Sequence, residues 1–93
     1  MTYVLEYHED VIRQDIPALS GEWRERIKRA IESRLVVHPE LYGRPLRKSL
    51  KGYRKLRVGD WRVIFRIQTR MVKILVIKNR SIVYKTVVKR LTQ

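Results

Sequence analysis

Apolar and charged side chains alternate along residues 53–67, and that period of two predicts a pair of β-strands. Residues 53–58 form the first strand, Gly59 and Asp60 the hairpin turn, and residues 61–67 the second. Alternation puts Tyr53, Lys55 and Arg57 on one face of the first strand, and Leu56 and Val58 on the other. In the second strand Trp61, Val63, Phe65 and Ile67 make an apolar face, with Arg62 and Arg66 opposite. Paired as a hairpin, the two strands must share their core face, so Lys55, Arg57 and Arg62 converge on the other side. Thr69 and Arg70 mark a second turn before a β-branched run over 71–77.

The first half carries a different period. Tyr3, Val4, Leu5 and Tyr7 predict a short opening strand. Residues 9–14 predict a short helix, restricted or ended by Pro17. Ser20 is the expected N-cap of a longer helix, with Glu22 and Glu25 in its first turns. Trp23, Ile27, Ala30, Ile31 and Leu35 then fall on one helical face, to about Val37, where Pro39 stops the run. Arg24, Glu25, Lys28, Arg29 and Glu32 form a solvated opposite face of mixed sign. Residues 41–45 read as a connector, and 82–91 as either a final strand or a short helix. The order β-α-α-β-β-β plus a tail predicts an α+β fold, two helices packed on one antiparallel sheet in a single domain, 1–93.

Charge sharpens this picture. Of 93 residues 44% are hydrophobic, enough for one modest core, yet the net charge is +13. The excess is not spread evenly. Residues 1–43 hold six Lys/Arg and eight Asp/Glu, whereas residues 44–93 hold sixteen Lys/Arg and one acid, Asp60. Self-repulsion of this size predicts an anionic or acidic partner. There are no cysteines, which excludes disulfides and thiolate metal sites. No apolar run is long enough to span a membrane and no signal pattern opens the chain, so a soluble cytosolic protein is expected.

His8 and His38 both lie in the acidic half, which argues against a two-histidine ribonuclease. Asp60 alone cannot supply the converging carboxylates of a two-metal nuclease. Any catalysis in the basic half is therefore expected to be metal-free, run by Lys, Arg and Tyr. The hairpin cations equally suit an ordinary solvated face that protects a sheet edge. Tyr84 fits stacking or proton transfer, but taken alone its position better suits a half-buried ring that closes the core with its hydroxyl in water.

The stretch GRPLRKSLKGYRKLRVGDWRVIFRI, followed by a β-rich run and NRSIVYK, resembles the RelE/ParE superfamily of bacterial and archaeal toxins of type II toxin–antitoxin systems. The resemblance covers nearly the whole chain and implies a RelE-like fold, two N-terminal helices on a small twisted antiparallel sheet. It leans towards the RelE-like messenger-RNA interferases. These are ribosome-dependent endoribonucleases in which the 2′-hydroxyl attacks the adjacent phosphate, leaving a cyclic phosphate and a free 5′-hydroxyl. By motif it implies catalytic roles for Lys55, Arg57, Arg62, Arg80 and Tyr84. The arginines would grip phosphate oxygens, and Lys55 is the candidate general base. Arg47, Lys48, Lys51, Arg54 and Lys78 are the further cations expected to hold RNA. Two departures bear on the base: Tyr53 stands where some members have an earlier lysine, and Lys78 where some have the late arginine.

The alternative implied by the same resemblance is a ParE-like toxin that inhibits DNA gyrase and cleaves nothing. Such toxins generally lack a full basic set and a late tyrosine. The partners implied are the ribosome with its mRNA and an acidic antitoxin that adds a strand to the sheet edge or lays a helix over the basic groove. No metal, cofactor or membrane is implied.

Overall fold

The computed structural model describes residues 2–92. Chain order is β1 (Val4–Tyr7), α1 (residues 9–18), α2 (residues 21–35), a short α3 (Pro39–Tyr42), β2 (Arg44–Pro45), a 3₁₀ turn (Lys48–Leu50), β3 (Arg54–Val58), β4 (Trp61–Gln68), β5 (Met71–Asn79) and α4 (Val83–Leu91). The five strands form one sheet in the order β1-β5-β4-β3-β2.

The predicted α+β architecture is present, with one difference in strand pairing and with the tail resolved. The sheet is mixed, because β1 runs parallel to β5 with Val4 opposite Met71. Periodicity assigns faces but not the direction in which a distant strand pairs. The tail is a helix and covers the second sheet face. Val83 and Val87, four residues apart, bury against Ile64, Leu75 and Val76. A bulge at Ile64/Phe65 leaves Leu75 without a partner on β4, and both Leu75 and Val76 join this cluster.

The main core lies on the other face. Val11 and Leu19 from the α1 side, with Ile27, Ile31 and Leu35 of α2, pack on Leu56, Val63, Phe65, Val72, Ile74 and Ile77. Ser20 caps α2 as its sequence predicts, its Oγ accepting from the Trp23 N–H at 3.4 Å. Pro17 does not stop α1 short: the helix widens over Val11–Asp15, the Ile16 N–H returns to Val11 O, and the proline enters the last turn.

The β3–β4 turn is fixed from both sides. Gly59 has φ +60°, and a Cβ there would come within 2.6 Å of the Trp23 ring. Trp23 thereby locks α2 against the hairpin, with the Trp61 ring centroid 6.3 Å from its own.

Candidate active site

The site grows out of strand register. Arg57 of β3 lies opposite Arg62 of β4, which lies opposite Lys78 of β5, one row across a single sheet face. The neighbouring row on that face runs Arg44, Lys55, Ile64, Val76. At about 3.3 Å per residue the rows are about 6.6 Å apart. Helix α4 covers the apolar end of the second row, which leaves Lys55 at the helix margin. From the first turn of α4 Tyr84 meets it: Lys55 Nζ donates to Tyr84 Oη at 3.1 Å and lies 5.8 Å from the ring centroid.

Beside this contact runs a groove of about 270 Å³, lined by Lys55, Arg57 and Arg62 together with Arg34, Tyr42 and Arg44. Among the described residues no carboxylate lies within ion-pairing distance of these five cations. Such a cluster raises the local concentration of anions and is relieved by binding one. Tyr42 is 48% exposed, with the Arg34 guanidinium 5.7 Å from its ring centroid, so an aromatic face is open beside the charge. A larger hollow of about 500 Å³ lies at the β1–β5 end, lined by Val4, Glu6 and Lys73 among others, and contains none of the predicted site residues.

The predicted residues divide accordingly. Lys55, Arg57, Arg62 and Tyr84 come together. Arg62 is held by its own turn, with Nη1 donating to Gly59 O and Trp61 O at 2.8 Å each. Arg80 stands at the far end of the hairpin, outside the groove lining. Its backbone N–H donates to Asp60 O at 2.8 Å and its guanidinium lies 3.7 Å from the Asp60 carboxylate, both side chains well exposed. Arg47, Lys48 and Lys51 are exposed on the connector around the 3₁₀ turn.

Arg54 and Lys78 are not brought to the groove. Arg54 faces away from Lys55 and donates to Gly43 O at 3.0 Å and Glu40 O at 3.4 Å, which fastens the α3–β2 corner. Lys78 turns to Asp15, 3.3 Å away. Neither His8 nor His38 lines the groove.

Sequence reasoning missed two features. Arg34 and Tyr42 belong to the acidic half and reach the groove only because α2 and α3 pack beside β3, a tertiary fact with no local signal. Asp15 and Arg90 form a buried bidentate pair, Nη1 to Oδ2 and Nη2 to Oδ1 at 2.7 Å each. Beyond the end of β1 the last part of β5 has a bare edge, and this pair closes it. Asp15 Oδ2 accepts from the Ile77 N–H at 2.9 Å, and Arg90 Nη1 donates to Leu75 O at 2.9 Å. A signal existed, since Asp15 continues the buried stripe Val11, Asp15, Leu19, and Arg90 continues Val83, Val87.

Relatives agree with this architecture. Among curated proteins the sequence finds no significant match. The RelBE2 toxin–antitoxin complex of Mycobacterium tuberculosis contains a chain of 26% identity and TM-score 0.79, matched over 86% of this chain and 100% of that one. A mutant of the E. coli toxin RelE in the free state gives 21% identity and TM-score 0.75 over 98% and 99%, a likeness of fold. The archaeal RelE–RelB complex of Pyrococcus horikoshii gives 25% and 0.60 over 86% and 97%. Residues 5–84 match the family described as the ParE toxin of the type II toxin–antitoxin system parDE. The chain therefore belongs to the ParE toxin family and is a type II toxin of the RelE/ParE superfamily.

Proposed function

We propose that this toxin is a RelE-like endoribonuclease that cleaves mRNA on the ribosome, with the Lys55–Tyr84 groove as its active site. The observation that carries the reading is the 3.1 Å contact of Lys55 with Tyr84 beside Arg57 and Arg62, in a groove whose lining among the described residues holds no carboxylate. A base and a hydroxyl within hydrogen-bond reach suit proton transfer. Two guanidiniums on adjacent strands suit a phosphate gaining negative charge.

In the reaction the substrate 2′-oxygen forms a bond to the adjacent phosphorus and the bond from phosphorus to the 5′-oxygen breaks. The products are a 2′,3′-cyclic phosphate and a 5′-hydroxyl. Lys55 is assigned the removal of the 2′-proton, and Tyr84, bonded to it, the relay of a proton towards the leaving oxygen. Arg57 and the free donors of Arg62 hold the non-bridging oxygens. Arg80 joins by leaving Asp60, a change of small cost because exposed pairs contribute about 0–1 kcal/mol. Tyr42 offers a face for stacking a base, at about 1–3 kcal/mol.

Primer-extension mapping of cuts on programmed ribosomes tests this. Wild type is expected to cut within codons, and Lys55→Ala, Arg62→Ala and Tyr84→Ala to lose about 10²-fold or more. Undiminished cleavage by all three variants would sink the reading. A second reading, gyrase inhibition without cleavage, is favoured by the ParE description of the matched family. It predicts filamentation and a DNA-damage response on expression, with transcripts intact. The partner under either reading is an acidic antitoxin, as the relatives seen in complex with RelB suggest.

A further inference from the structure

A second groove, of about 390 Å³, lies between α2 and the β3–β4 turn, lined by Arg26, Arg29, Ser33, Arg34 and Arg57 with small apolar ground between them. Arg34 and Arg57 also line the candidate active groove, so the two grooves adjoin at these side chains. Among the described residues none of these four arginines has a carboxylate within ion-pairing distance. Arg26 is already oriented: its guanidinium lies 4.4 Å from the centroid of Trp23, the ring wedged over Gly59. Pre-orientation lowers the entropy lost when such a fork binds. Arg26, Arg29 and Ser33 follow one another at about 4.5 and 6 Å along the helix axis, a row of donors one turn apart.

From this we infer that the α2 groove is a second subsite that holds the sugar–phosphate backbone of the same RNA strand, with Arg26 and Arg29 each meeting one phosphate to one side of the cleaved bond. The inference rests on the nuclease reading of the adjoining groove. Arginine without lysine, adjacency to the candidate active groove, and only Ala30 and Val58 as apolar lining favour a phosphate backbone over a protein helix, which would need an apolar ledge. The enzyme therefore grips several nucleotides, and Arg34 and Arg57 are the junction where the strand passes from grip to chemistry.

The full-length chain and its Arg26→Gln/Arg29→Gln double variant are titrated by fluorescence anisotropy with labelled 2′-O-methyl RNAs of three and twelve nucleotides, which bind without being cut, over a range of KCl. For the 12-mer the double variant is expected to bind about tenfold more weakly near 0.1 M salt. Its slope of log affinity against log salt should be shallower by about 1.4, two phosphates at about 0.7 each. The 3-mer should bind both proteins alike. Wild-type affinity and slope on the 12-mer would overturn the inference. So would a variant that keeps the 12-mer but loses polyglutamate, because the groove would then be a seat for an acidic protein segment. Wild-type protein that leaves ribosomal mRNA intact yet shows the length-dependent loss would remove the nuclease reading and leave the RNA groove standing.

Discussion

The Asp15–Arg90 pair gives the sharpest test of what holds this fold together, and Arg90→Met is the perturbation. Methionine keeps much of the volume and removes the charge. Among the described residues Asp15, 1% exposed, would then keep the Ile77 N–H and Lys78 as partners. Breaking a buried pair from one side costs about 3–5 kcal/mol, a large share of a total stability of about 5–15 kcal/mol. In urea, with a slope of about 1–3 kcal/mol per molar, the midpoint should fall by about 2 M. Many buried pairs can be exchanged for apolar residues at no net cost. Here Asp15→Leu with Arg90→Met should stay destabilised by about 2 kcal/mol or more. That exchange strands the Ile77 N–H and Leu75 C=O, and an unsatisfied buried group costs about 1–3 kcal/mol. Asp15→Asn, which retains an acceptor for Ile77, separates edge closure from charge. An Arg90→Met protein within 1 kcal/mol of wild type, or an apolar double variant as stable as wild type, would refute the reasoning.

Other residues give shorter tests. Burial, with Glu32 nearby, pushes the Tyr7 hydroxyl above its usual 10.0. The neutral phenol is favoured in the folded state, so its contribution is complete below pH 10 and is lost as pH rises through the folded value. Tyr7→Phe should flatten the alkaline fall in melting temperature above pH 10, and an unchanged profile would count against this account. Gly59→Ala, which meets both a positive φ and the Trp23 ring, should cost about 1–3 kcal/mol in denaturant unfolding. Thr69 is a β-branched residue at φ +56°, so Thr69→Gly should stabilise by roughly 1 kcal/mol in the same assay.

The hairpin was legible in the sequence because two independent signals coincide there. The period of two set the faces, and Gly59-Asp60 set the register that makes Arg57 meet Arg62. The core face of α2 was legible for the same reason, every apolar residue of its stripe finding the core or its border. Residues 82–91 were ambiguous because their short apolar spacing fits either period, and burial under Ile64 and Val76 decides for helix. Lys55 meeting Tyr84 depends on that helix, so the contact was out of reach while the tail had two readings. The side-chain destinations of Arg54 and Lys78 were hidden for another reason. Both are long and flexible, and each was captured by an acceptor from a distant segment, the Gly43 carbonyl and the Asp15 carboxylate.

Folding redraws the division of charge at Gly43. The helices of the first half carry more acid than base, yet α2 turns Arg26, Arg29 and Arg34 towards the hairpin, where Arg57 is waiting. Glu32 goes elsewhere, to the cleft between α1 and α2 beside Tyr7. Sorting of this kind opposes stability, since unpaired guanidiniums repel each other at short range. A fold selected for stability alone would interleave the α2 acids with these arginines, as happens at exposed helix positions such as Glu9 and Arg13, 2.7 Å apart. The chain instead spends its buried carboxylate, Asp15, on closing the β5 edge, and among the described residues no acid lines the two grooves. That distribution makes sense for a surface whose counter-charge arrives with its ligand.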